Sequence, residues 1–332
     1  IWLFIKSKIL LNRMLLPFNF PIKCERPSIQ WPTVGFPGGV MAVILALVVA
    51  VLWGFGNVFQ KHGMSTSFPK ISLKNVVRQI GLVVKTLFTN WLWLLGTLMM
   101  LGGGGVYLVA LGYGDVTVVQ PILCLTVAVS AIVGVVWLKE KVSVIEWAGI
   151  LMVLAGVILV SIAGGGKTAV LPGGSYLLIF FVAFSLAAAA AFLLGRVGIS
   201  IEFSLALSAG LVFGLGNVAA KLMMMRFEAE LGSADLFQLA AVQSILTDYP
   251  IILVIAANIV GSIFYQTAFA NGRASIVASI CTIVGNTVPI IAAITIFGEQ
   301  VKFLHGLGII IVLVGAFVLA IGNRQTWRRC SP

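Results

Sequence analysis

The stretch W-G-F-G-N-V-F-Q-K at residues 53–61 recurs as F-G-L-G-N-V-A-A-K at residues 213–221. Gly54, Gly56, Asn57, Val58 and Lys61 match Gly214, Gly216, Asn217, Val218 and Lys221 at one constant offset, which chance does not supply. Outward from this core the match continues with small shifts. Gly103, Tyr107, Ala110 and Gly114 align with Gly261, Tyr265, Ala268 and Gly272, and Glu140, Gly149 and Gly156 align with Glu299, Gly308 and Gly315. Residues 42–164 therefore repeat as 202–323.

The repeated units consist of long apolar runs. Nine occur, at about 42–60, 91–112, 116–138, 144–163, 174–196, 203–225, 249–270, 274–297 and 304–322, each long enough to cross a bilayer as a helix. Composition agrees: 60% of residues are apolar, 9% are charged and the mean hydropathy is +1.13, against roughly a quarter charged in soluble domains. Hydrocarbon cannot satisfy an irregular backbone, so the spans are predicted to be helices. Each unit holds four spans and the run at 174–196 stands unpaired between them. The second copy then starts on the opposite side from the first. The prediction is an all-α polytopic membrane protein of about nine transmembrane helices, built as two inverted four-helix repeats joined by a connecting helix. Its divisions are 41–164, 165–201 and 202–323, with a cytoplasmic tail at 324–332. Residues 1–40 lack Met at the start and contain no Ala, and Lys6, Lys8 and Arg13 interrupt their apolar stretch. They are read as a non-native or disordered extension.

Lys and Arg give the orientation. Connectors on one side carry Lys61, Lys70, Lys74, Arg78, Lys85, Lys139, Lys141, Arg196, Arg273, Arg324, Arg328 and Arg329; those on the other carry Lys167, Lys221, Arg226 and Lys302. Twelve against four predicts the N-terminus outside and the C-terminus inside. The net charge of +11 is thus explained by topology, and no basic stripe with interleaved aromatics marks a nucleic-acid partner. The four cysteines, Cys24, Cys124, Cys281 and Cys330, show no metal or redox spacing. His62 and His305 lie in connectors and are read as solvated.

The repeat resembles the drug/metabolite transporter superfamily, whose unit is the EamA domain. The residues that carry the resemblance are W-G-F-G-N in the first span and the paired endings V-V-W-L-K-E-K (135–141) and I-T-I-F-G-E-Q (294–300), followed by small-residue spans. The family's Pro before the Glu is present as Pro289, but Ser130 takes its place in the first half. The usual family repeat has five helices where this one has four. Residues 71–88 instead form an amphipathic stretch read as an interfacial helix. The nine-span layout is similar to the NIPA-type magnesium transporter branch, although Gly102 to Gly105 stand where that branch places an acidic residue.

Both the inverted repeat and the resemblance imply a secondary transporter that moves a small solute or metabolite by alternating access. The alternatives are a divalent-cation (Mg²⁺) transporter of NIPA type, or a channel or scaffold. Asn57, Tyr107, Gln120, Asn217, Tyr265, Gln266 and Asn286 are the polar groups within spans and the candidate substrate pathway. For the asparagines an equal reading is interhelical hydrogen bonding, worth about 0.6–2 kcal/mol each. Lys61 with Glu140, and Lys221 with Glu299, fall at opposite faces and are candidate gates. Exchanging the charges of one pair would then restore part of the transport. The bland readings are lysines snorkelling to the interface and glutamates at solvated helix ends. Gly102 to Gly105 are read as a close packing surface or a point of unwinding. No convergent acid, base and nucleophile indicates an enzyme, no metal site and no cofactor is expected, and the partners are a small-molecule solute and the bilayer, with a homodimer left open. A prokaryotic cytoplasmic membrane is the expected location.

Overall fold

The computed structural model describes residues 38–65, 89–138, 144–163, 170–195, 201–231, 248–271 and 274–328. The amphipathic stretch 71–88, Glu140 and nearly all of the N-terminal extension lie outside them. Every described regular element is an α-helix: α1 (Gly38–Ser65), α2 (Trp91–Tyr113), α3 (Val116–Leu123), α4 (Leu125–Leu138), α5 (Val144–Ala163), α6 (Gly174–Leu194), α7 (Ile201–Leu231), α8 (Tyr249–Asn271), α9 (Ala274–Thr295) and α10 (Phe303–Arg328).

Each expected apolar run is helical, but several helix ends depart from expectation, α7 running on to Leu231 where 225 was expected. α1 starts at Gly38, inside the segment set aside as an extension, and α10 continues to Arg328, beyond 323. The run 116–138 is two helices, parted at Cys124, whose N–H turns back to the Pro121 carbonyl at 3.1 Å. Pro121 lacks an N–H and its ring crowds the preceding turn, which bends a helix. Among the described residues, six segments are long and apolar enough to cross a membrane: Gly39–Gly63, Trp91–Tyr113, Val116–Trp137, Gly174–Leu194, Ile201–Phe227 and Tyr249–Ala268; Trp147–Ala163, Ile280–Thr295 and Phe303–Val318 are shorter apolar helices. Leu101, Ile179, Leu186 and Ile252 are exposed. An apolar exterior of this kind suits hydrocarbon as solvent, and the molecule is a polytopic membrane protein.

Packing recurs between the two halves at residues related by the sequence offsets. α1 lies against α2 and α4, as α7 lies against α8 and α9. A Cβ on Gly54 would stand 2.5 Å from Val129 Cγ1, and one on Gly214 would stand 2.6 Å from Val288 Cβ. The Trp53 and Tyr107 rings are 5.7 Å apart and those of Phe213 and Tyr265 6.1 Å. α5 and α10 cross where Gly156, Gly308 and Gly315 allow backbone contact, and α6 rests on α7. α2 also packs against α7, but α8 has no comparable packing against α1.

Asn90 ties the first two helices together. Its Oδ1 accepts the Leu92 and Trp93 N–H groups at the start of α2, while its Nδ2 donates to the Gly63 carbonyl at 2.9 Å. Gly102 to Gly105 neither unwind α2 nor all pack. The helix is continuous, Gly103 meets the Trp53 indole, and Gly102, Gly104 and Gly105 face open space.

Candidate functional site

One end of the bundle gathers four buried ionisable groups: Asp115, Lys221, Glu299 and His305. Lys221, from α7, does not snorkel to the surface. Its ammonium donates to the Gly114 carbonyl at 3.0 Å and to the Leu111 carbonyl at 3.4 Å, where α2 ends and partial negative charge collects. Glu299, just past α9, does not end in solvent. Its Oε1 accepts the Val116 N–H and its Oε2 the Thr117 N–H, both at 2.9 Å, at the positive start of α3. Asp115 occupies the N-cap of α3 but its side chain makes no capping bond. Glu299 therefore caps α3 from the other half of the sequence.

Gly298, with φ of +64°, turns the chain out of α9 and into this position. Such a backbone costs a residue with a Cβ about 1–2 kcal/mol. The carbonyl of Phe297, itself fully buried, is held by the Val170 N–H at 2.8 Å.

Lys221 Nζ and Glu299 Oε1 are 3.9 Å apart, with side chains 3% and 0% exposed. Burial pushes the Glu299 carboxyl above the usual carboxylate range; the Lys221 ammonium pulls it down, Asp115 pushes it up, and the Thr117 and Val116 N–H groups pull it down. The predicted Lys221 and Glu299 pair is thus together, through two helix ends as much as by direct contact. Lys61 is half-buried at the opposite end of the bundle, and its expected partner Glu140 is outside the described residues.

His305 is the largest correction to the sequence reading. It is buried in the first turn of α10, with Nε2 at 2.9 Å from the Thr117 carbonyl. Thr117 is four residues before Pro121, so its carbonyl has no intrahelical N–H to accept. The sequence signal was that proline spacing.

The same device appears at Asn217. Pro289 frees the Gly285 carbonyl within α9, and Asn217 Nδ2 donates to it at 3.3 Å. In the first half Ser130 replaces the proline and donates its own hydroxyl to the Gly54 carbonyl at 3.2 Å. Asn57 is not needed there, and its Oδ1 accepts the Tyr265 hydroxyl across the halves at 3.4 Å. Gln120 Nε2 donates to the Tyr107 hydroxyl at 2.6 Å, and Asn286 Nδ2 reaches Cys124 Sγ at 3.3 Å. Of the expected pathway groups, Gln120 and Tyr107 form one pair and Asn57 and Tyr265 another, while Asn217 and Asn286 bond elsewhere. Gln266 is half-buried, with its Oε1 unpartnered. Among the described residues no group of three or more His, Cys, Asp or Glu is placed to hold a metal ion.

The site lies within an all-helical apolar bundle, the architecture of a polytopic membrane protein, in which sequence-distant parts meet through buried polar contacts. Residues 40–162, which span the first repeat, match the EamA-like transporter family. A protein of Arabidopsis thaliana named probable magnesium transporter NIPA9 is 24% identical to this chain, over 85% of it and 83% of that protein. No solved structure matches the chain.

Proposed function

We propose that the chain is a secondary transporter whose two halves, inverted in a membrane crossed nine times, open a central path to each side in turn. The conformation described is closed at the end that holds Lys221, which is the outer face in the topology with the N-terminus outside. The observation that carries this reading is the buried contact between halves: Lys221 on the end of α2, and Glu299 on the start of α3. Both contacts must break for a solute to pass there. The packing of α8 against α1, which meet at Tyr265 and Asn57, is sparser than that of α2 against α7, and this supports closure at one end only.

The cargo is a small solute that meets the amide and phenol groups of Asn57, Tyr265, Tyr107 and Gln120 along the path between halves. These groups are neutral and suit a neutral or amphipathic metabolite. Mg²⁺ is the second reading, favoured by the name of the plant relative. A thermal-shift screen of the purified protein against metabolites and Mg²⁺, followed by counterflow in proteoliposomes, tests both. Saturable counterflow of an organic solute supports the proposal, and saturable Mg²⁺ flux alone selects the second reading. Unsaturable flux would mean a channel, and no flux of any solute a scaffold.

A further inference from the structure

We propose that His305 is a third point of closure, a latch that stands in for the backbone donor Pro121 removes. In an unbroken helix the N–H of residue 121 would bond to the Thr117 carbonyl, and proline has none to give. α3 keeps its helical course from Val116 to Leu123, so this acceptor still points along the helix at an empty donor position. His305 Nε2 reaches it at 2.9 Å from α10, in the other half of the chain. The ring nitrogen donates, because a carbonyl can only accept. Lys221 takes the end of α2, Glu299 takes the two leading N–H groups of α3, and His305 takes the carbonyl of one of those same residues. All three contacts join the halves at one place.

Pro121 makes the third contact specific to one conformation. A helix that satisfied Thr117 internally would gain little from His305, and closure would gain nothing from it. With proline present, the carbonyl is bonded when α10 is docked and left to water or to nothing when it is not. A group whose bonding differs between two conformations biases the equilibrium between them, and a buried carbonyl left without a donor is the costly case. His305 is therefore a positioning residue: it holds the start of α3 where Glu299 can cap it. The inference rests on the alternating-access reading only for its consequence in transport.

The test is a cycle of variants at positions 305 and 121 in the full chain in lipid nanodiscs, read by hydrogen exchange at the Val116 and Thr117 amides. His305→Leu is expected to speed exchange there about fivefold or more, from the cost of an unpaired buried carbonyl. His305→Gln, whose amide can donate to the same oxygen, stays within about twofold of the native rate. Pro121→Ala supplies the missing N–H, so adding it to His305→Leu brings exchange back to within about twofold of Pro121→Ala alone. Exchange in the α5 and α10 crossing, at Val153 and Val312, stays native throughout. The latch is overturned if His305→Leu leaves the rate unchanged, if the alanine gives no rescue, if His305→Gln exchanges as fast as the leucine variant, or if protection falls equally at Val153 and Val312. An intact cycle in a protein that carries no solute would sink the transport reading and leave the latch standing.

Discussion

Lys221 and Glu299 are held by helix ends of opposite sign, and this decides what substitution does. Lys221→Met leaves the Glu299 carboxylate buried without its countercharge, and breaking a buried pair this way costs about 3–5 kcal/mol. Closure should weaken and counterflow fall at least about tenfold, with Glu299→Gln milder because an amide oxygen still accepts one N–H. Exchanging the two charges should not rescue transport, contrary to what the sequence alone suggested. The exchange would set a carboxylate against the Leu111 and Gly114 carbonyls and an ammonium against the Val116 and Thr117 N–H groups. Rescue by the doubly exchanged variant would show that direct charge attraction outweighs the helix ends. The pH dependence has a definite sign. Burial raises the Glu299 carboxyl when closed, while in an opened, solvated site it returns toward its ordinary value. The closed form then binds the proton more tightly and is favoured as pH falls from the raised value toward the ordinary carboxylate range. Transport should slow over that window in the native chain. Asp115, Lys221 and His305 share the site, so Glu299→Gln is the control that should flatten this component; an unchanged profile in that variant would assign it to another group.

At the scale of the helix, two prolines create two open carbonyls, and each is met by a side chain from another helix. Asn217→Ala should destabilise the fold by about 1–3 kcal/mol, because the Gly285 carbonyl in α9 loses its replacement donor. Pro289→Ala should recover much of that loss in the double variant, measured by thermal unfolding in detergent. Asn57→Ala, with no proline to serve, should cost less stability while altering transport more; equal losses at the two asparagines would refute the division of roles. This difference was half legible in the sequence. The repeat paired Asn57 with Asn217, and the absence of a proline at Ser130 was visible, but which carbonyl each amide would find depends on helix rotation and neighbour choice. The spans were legible because hydrocarbon demands long apolar runs. The Cys124 break and the partners of Lys221 and Glu299 were not, since backbone carbonyls and N–H groups at helix ends carry no side-chain signature. His305 misled because a connector position in the sequence says nothing about burial once α10 begins at Phe303.

Across the whole molecule, the repeated packing and the proposed closure at the Lys221 end make one geometric demand. If the halves are inverted, the ends of α1 and of α9 face opposite compartments, although Glu140 and Glu299 are repeat mates. A cysteine at His62, near the end of α1, and another at Gln300, beside Glu299, report the two ends separately. Each would be introduced alone into a chain whose Cys24, Cys124, Cys281 and Cys330 are replaced by serine or alanine. In sealed vesicles of one orientation, a membrane-impermeant thiol reagent should reach one of them from outside and the other only after the membrane is opened. In the proposed topology, with Lys and Arg preponderant on the His62 side, that cysteine is expected inside. A parallel arrangement of the halves would label both from the same side, and then the helix-end contacts at Lys221 would be a fixed structural joint with no counterpart to alternate with. Opposite labelling also gives the closed end a test, because a transported solute should raise the Gln300 labelling rate only if it draws Lys221 and Glu299 off the ends of α2 and α3.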